Sequence, residues 1–237
     1  MNLRQQTKSR QSVPKEGPKF RGQHARELES SGEIFFRVVK NHGKRDELEY
    51  LTAMKAIVSR HLPNMALDYI SRIVYDPIYH ETLLLIRRKE NTPFGGICFR
   101  PFPEQGFVEI VFCAIESNQQ TGGFGSHMMS HLKEVIQRRQ IYHILTYADN
   151  QAIGYFVKQG FRKHITLEKE RWQGYIKDYV DATLMECVLH PGIESYTDVP
   201  STIKRQREEL HRLINEVAEA RMSAPPLAFP GKLTRYM

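Results

Sequence analysis

Cysteine is scarce in this chain. Cys98, Cys113 and Cys187 are the three present among 237 residues, an odd number without CxxC spacing, each inside an apolar run. Those facts exclude a disulfide framework or a cysteine zinc site and point to buried thiols in a reducing compartment. Long apolar runs are missing too: none approaches the roughly 18 residues of a membrane span. The N-terminus is basic but lacks the apolar segment of a secretory signal. A glycine-rich turn is present, yet no GK[ST] follows it, which argues against ATP or GTP, and the full dinucleotide fingerprint is absent.

The charge that is present lies unevenly. Residues 1–26 hold seven Lys/Arg against one Glu, residues 27–192 hold twenty against twenty, and residues 193–237 hold seven against six. Most of the net charge of +7 therefore belongs to an N-terminal arm. Residues 1–30 are polar and expected to be disordered. A nuclear-targeting or nucleic-acid contact is the sharper alternative for that arm, although it has no dense basic cluster.

From residue 31 the pattern becomes that of a folded domain. Ile34–Val39 reads as a strand, and Asp46 is placed to cap a helix striped by Leu48, Leu51, Met54 and Ile57. A short helix covers residues 66–73. Strands follow at 81–88, 94–102 and 108–115, with Gly95-Gly96 marking a bulge or a close backbone approach. A helix at 123–138 turns Met128, Met129, Leu132 and Ile136 inward, and a strand spans 141–147. Asp149 caps a helix at 150–159 that ends on Gly160. Residues 161–167 extend, 168–181 are loop with a brief strand, and 182–189 form the last core strand. A separate helix capped by Ser201 runs to about residue 222, and no repeat is found. Hairpins with one or two crossovers imply a mixed α+β sheet.

Two features carry chemistry. Gln120-Thr121-Gly122-Gly123-Phe124-Gly125 fits Q-x-x-G-x-G at a helix start, where unpaired amides and the helix dipole suit a pyrophosphate. Just before it, Glu109 breaks an apolar strand. Period-two alternation puts Phe107, Glu109, Val111, Cys113 and Ile115 on one face and Val108, Ile110, Phe112 and Ala114 on the other. A carboxylate between Phe107 and Val111 is expected to have a raised pKa, suited to a general base, unless it simply pairs with an arginine.

The runs GFVEIVFCAIESNQQTGGFGSHMMSHLKE, LTYADNQAIGYFVKQGF and GYIKDYVDATLMEC resemble the catalytic domain of PCAF-type histone acetyltransferases, within the GNAT superfamily, over residues 31–192. The resemblance implies the GNAT fold, a mixed, mostly antiparallel twisted sheet flanked by helices. It implies acetyl-CoA as cosubstrate, no metal, and lysine acetylation of histone tails, chiefly histone H3, in the nucleus. The competing readings are a non-histone protein or small-amine acceptor, or a weakly catalytic coactivator scaffold. Glu109 takes the place of the general base. Cys113 supplies a backbone donor to the thioester, with an acetyl-cysteine relay as the competing idea, and Cys113, Ala114 and Ile115 pair with the pantetheine arm. Gln120, Thr121, Gly122, Gly123, Phe124, Gly125 and Ser126 form the pyrophosphate loop. Gln151, Ala152, Ile153 and Gly154 make a second coenzyme contact, and Tyr155 lies against the coenzyme sulfur, able to return a proton to the leaving thiolate. Considered alone, Tyr155 reads as core packing beside Phe156 and Phe161.

The loop from Trp172 to Tyr179 flanks the tail groove in this reading, with Asp178 and Asp181 as candidate contacts. Gly122, Phe124 and Trp172 depart from the Lys, Tyr and Tyr usual in the family. Partners expected by resemblance are the histone H3 tail and coactivator-complex adaptor subunits, with no membrane and no sequence-specific nucleic acid. Residues 193–237 are expected to hold a helix and tail, with too little chain for the bromodomain many members carry.

Overall fold

The computed structural model describes residues 22–179 and 181–223. The expected disorder of residues 1–21 lies outside them. The described residues form two compact units, one ending at Ile193 and the other beginning at Glu194.

The first unit is one six-stranded sheet in the order β1 (Ile34–Val39), β2 (Glu81–Arg87), β3 (Thr92–Phe102), β4 (Phe107–Ile115), β5 (His143–Asp149), β6 (Ala182–Val188). Every pairing is antiparallel except β4 with β5. The reason is connectivity: tight turns link β2 to β3 and β3 to β4, whereas β4 reaches β5 through a helix, which a parallel neighbour requires. The mixed, mostly antiparallel sheet flanked by helices is the GNAT architecture the sequence implied.

One face is covered by α2 (Arg45–His61) and α3 (Leu67–Val74). The buried positions of α2 are Glu47, Tyr50, Leu51, Met54, Ile57 and Val58, at helical spacing. Leu48, expected in that stripe, is exposed. Asp46 is not the cap either: Lys44 holds the N-cap, and Asp46 lies in the first turn, where its charge favours the helix dipole. Gly96 sits beneath α2. A Cβ there would lie 2.7 Å from the Met54 sulfur, so the expected close backbone approach is real.

The other face carries α4 (Phe124–Arg138), with Met128, Met129, Leu132 and Ile136 buried as expected. Against it lies α1 (Gln23–Ser30), a helix where disorder was expected. Its buried Ala25 and the hydrogen bonds of Glu29 to α4 supply tertiary support that a polar octapeptide does not announce. The short helices α5 (Ile153–Lys158) and α6 (Lys169–Trp172) fill the β5-to-β6 connection, where residues 161–167 make one isolated bridge rather than a strand.

The second unit contains α7 (Val199–Ser223). It starts before Ser201, which is therefore inside the helix rather than its cap. Leu210, Leu213, Ile214 and Val217 are exposed along it. Among the described residues, no helix is long and apolar enough to cross a membrane.

Candidate active site

The site begins with one extra residue in β4. Cys98 of β3 pairs with Phe112 and Phe99 pairs with Ile110, so Val111 has no partner and forms a bulge. Directly opposed residues share a face of a sheet. Glu109, opposite Arg100, therefore lies on the α2/α3 face together with Phe112 and Ala114, while Cys113 shares the other face with Ile110. The expected common face for Glu109, Val111, Cys113 and Ile115 is thus overturned, because the bulge reverses the alternation between residues 110 and 112.

The bulge also opens the sheet. Parallel pairing of β4 with β5 runs from Phe107–His143 to Ile110–Thr146 and stops there. Thr146 Oγ1 donates to the Ile110 carbonyl at 3.1 Å, closing the last rung. Glu116 N–H donates to the Phe94 carbonyl on β3. Alternation along the strand then directs the amides of Cys113 and Ile115 the opposite way, to the edge β5 has left. A cleft of about 990 Å³ fills the gap, walled by Glu109, Cys113, Tyr69, Tyr147, Gln151 and Tyr179 among others.

Within this cleft Glu109 is 7 % exposed. Burial pushes its carboxyl up to about 7, and the Arg100 guanidinium only partly opposes that rise. Arg100 is itself held over the rings of Phe102 and Tyr79, at 4.4 and 4.7 Å. Among the described residues Glu109 accepts no hydrogen bond, which keeps the carboxylate basic. It is a side chain able to hold or release a proton near neutral pH.

Tyrosines from distant parts of the chain line the same face. Tyr69 and Tyr179 join hydroxyl to hydroxyl, and Tyr147 donates to Asp178. Lys177 places its ammonium 4.9 Å from the Tyr69 ring and 5.2 Å from the Tyr179 ring. Sequence reading named the 172–179 loop but not Tyr69 or Tyr147, which only the sheet and α3 bring to it. Aromatic residues at the ends of a helix and a strand were the available signal.

Cys113 turns its thiol to the far side. The thiol donates to Tyr155 Oη at 3.7 Å, and Tyr155 Oη donates to the Gly125 carbonyl at 2.9 Å. This relay ties the bulged strand to α5 and to the glycine turn. Burial pushes the Cys113 thiol up to about 11 and the Tyr155 phenol well above its ordinary range, so both keep their protons at neutral pH.

The glycine segment is built for close approach. Gly123 has φ 73°, and a Cβ there would lie 2.8 Å from the Gly22 nitrogen. Phe124 is buried edge-on to Phe94 at 5.2 Å, so its ring serves the core and leaves only its backbone to a ligand. That ring also passes 2.4 Å from where a Cβ of Gly122 would stand, so a longer residue there requires it to move. Ser126 Oγ accepts from Gln159 Nε2 at 3.0 Å. The amides of Gln151 and Ala152 donate to Asp149 Oδ1 at 2.9 and 2.7 Å, which fixes the turn before α5. The helix starts only at Ile153 with Ala152 as its N-cap, so Asp149 is not the helix cap expected and the helix is shorter than 150–159. Glu109, Ala114 and Ile115 lie along β4, while Ile153, Gly154 and Tyr155 follow on α5. The cleft wall joins Glu109 and Cys113 to Gln151 and Ala152; residues 122–126 are not part of it.

The pattern that defines the Acetyltransferase (GNAT) family matches residues 51–161. The crystal structure of Tetrahymena GCN5 is 42 % identical, with a TM-score of 0.65, and the match covers 68 % of this chain and 99 % of that one. This chain belongs to the GNAT acetyltransferase family. A second GNAT structure, the catalytic domain of Tetrahymena GCN5 histone acetyltransferase in complex with coenzyme A, is 42 % identical with a TM-score of 0.57, over 70 % of this chain and 98 % of that one. Histone acetyltransferase GCN5 of Debaryomyces hansenii is 45 % identical over 200 residues, 84 % of this GNAT chain. The match spans 44 % of that relative's length, so the chain corresponds to less than half of it.

Proposed function

We propose that this chain is an acetyl-CoA-dependent lysine N-acetyltransferase acting on histone tails, chiefly histone H3, in the nucleus. One observation carries the reading: a buried carboxylate in the cleft, Glu109, pushed by burial up to about 7 beside a strand edge without a partner. The similarity to GCN5 histone acetyltransferases supports the choice of acceptor.

A lysine ammonium ionises near pH 10.4, so freeing its amine at pH 7 costs on the order of 4–5 kcal/mol. Glu109 takes that proton, directly or through one water, from an acceptor entering along the tyrosine-lined face. Acetyl-CoA supplies the acetyl group as a reactive thioester. The edge amides of Cys113 and Ile115 receive its amide-bearing arm as a further strand would, and Cys113 N–H is the donor assigned to the thioester carbonyl. Ala114 lies between them. Amides of residues 120–126, at the start of α4, take the pyrophosphate, and residues 151–154 make the second contact. Tyr155 carries a proton at neutral pH and is the acid assigned to the leaving thiolate. The acetyl-cysteine relay is disfavoured, because the Cys113 thiol is protonated and faces away from Glu109.

In this reading residues 31–192 are the catalytic unit, and the exposed apolar residues of α7 meet a coactivator adaptor subunit. The test is mass spectrometry of acceptors incubated with acetyl-CoA and either wild type or Glu109→Gln. Matched H3 and H4 tail peptides and a polyamine compete in one reaction. Preferential H3 labelling that collapses in the variant supports the proposal. Preference for the polyamine overturns the histone assignment, and undiminished transfer by Glu109→Gln overturns the base.

A further inference from the structure

Behind the glycine turn, on the face away from Glu109, three ligand-type side chains meet. His127 and His131 stand one turn apart on α4, and Glu29 reaches them from α1. Glu29 Oε2 lies 2.6 Å from His127 Nε2 and 3.0 Å from His131 Nε2. One donor atom from each of the three lies within 4.8 Å of the other two.

We propose that Glu29, His127 and His131 form a zinc site that pins α1 to α4. Two histidines at i and i+4 present both imidazoles on one face of a helix, and a carboxylate from another element completes a His₂Glu donor set suited to Zn²⁺. A tetrahedral zinc with bonds of about 2.0–2.1 Å needs ligand atoms roughly 3.3 Å apart. The 2.6 and 3.0 Å carboxylate–imidazole separations reach that by opening about 0.7 and 0.3 Å, while the two imidazole nitrogens, within 4.8 Å of each other, settle to the same spacing. Each neutral imidazole then carries its proton on Nδ1 instead of Nε2, so binding to the neutral rings releases no proton.

The surroundings are already fixed for such a role. Phe36 stacks on His131 with ring centroids 3.8 Å apart and meets His127 edge-on at 5.4 Å, which sets both imidazole planes while leaving their Nε2 atoms toward Glu29. His127 is 3 % exposed, while His131 at 20 % and Glu29 at 32 % leave one side open to water as a fourth ligand. The thiols offer no rival site, since Cys98 and Cys187 are buried and Cys113 is committed to Tyr155. His127 N–H also donates to the Gly123 carbonyl at 3.2 Å, so an ion here braces the turn ahead of α4 from behind.

The experiment uses the full chain stripped with a chelator and titrated with zinc against a chromogenic competitor, then with cobalt(II) as a spectroscopic stand-in. The expected result is one equivalent of zinc, visible cobalt d–d bands of a nitrogen- and oxygen-ligated tetrahedral site, and a rise in Tm with metal. His131→Gln and Glu29→Gln, both at partly exposed positions, should weaken binding roughly tenfold or more and lose the bands. His164→Gln, an exposed histidine elsewhere, should change neither. Failure of the wild type to bind an equivalent overturns the site, and so does binding that His131→Gln and Glu29→Gln leave unaltered.

Discussion

Two buried carboxylates, two strands apart, behave in opposite ways. Glu109 on β4 is 7 % exposed, and Glu186 on β6 is 2 % exposed. Burial pushes both up. For Glu109 only the charge of Arg100 opposes it, and the group reaches about 7. Glu186 is met by His143 Nδ1 at 2.7 Å, Thr166 Oγ1 at 2.8 Å, Leu167 N–H at 3.2 Å and Thr166 N–H, and these bonds hold it below the ordinary carboxylate range. Depth alone does not decide whether a carboxylate is a base or a brace; the donors around it do. The cleft withholds donors from Glu109, whereas the β5–β6 region surrounds Glu186 with them.

The comparison is broken most sharply by removing the cleft charge. Glu109→Gln should cut acetyl transfer by about 10²–10⁴-fold while the circular dichroism spectrum stays native. In the wild type, kcat/KM should rise with pH through about 7 as Glu109 ionises, a limb the variant lacks. Removing the brace should do the reverse. Glu186→Ala strands two backbone N–H groups and a hydroxyl, and should cost about 3–5 kcal/mol in urea melts, with activity per folded molecule retained.

Linkage sharpens the contrast further. Glu109 binds its proton more tightly folded than unfolded, so its contribution favours folding below pH 4.5 and is lost as pH rises to about 7. Glu109→Gln should therefore gain stability at pH 8, by about 3 kcal/mol at most. Glu186, held low, contributes stability above pH 4.5 that disappears as pH falls through its folded pKa. Urea midpoints measured across pH for the two variants should slope apart. The smallest effect belongs to Cys113→Ala. It should change the rate by less than about threefold, since the assigned donor is a backbone N–H; a loss comparable to Glu109→Gln would revive the covalent relay.

Local patterns made much of this legible. Ile34–Val39 was readable to the residue, and Glu109 stood out because one charge interrupts an apolar run. The bulge did not show, because Val111 looks like any strand residue and becomes unpaired only against Cys98 and Phe99. That single residue decides which face each later side chain takes. Glu186 resembled another polar position in a core strand, and its partners are His143 on β5 and Thr166 and Leu167, about twenty residues earlier. Tyr69, Tyr147 and Tyr179 have no mutual signal along the chain and meet only through the fold. The helix at Gln23–Ser30 was hidden by its polarity, since its support comes from α4.

The parting of β4 from β5 has a consequence for how the chain keeps to itself. Free strand amides on an outer edge invite another molecule's strand and seed aggregation. Here the stretch of β4 from Glu109 to Cys113 faces a wedge whose opposite wall is β5 itself, from Thr146 to Asp149. An edge flanked by the next strand of its own sheet lies inside the sheet order, not at its outer rim. The protein can therefore leave its sheet unfinished without offering a template for its own copies.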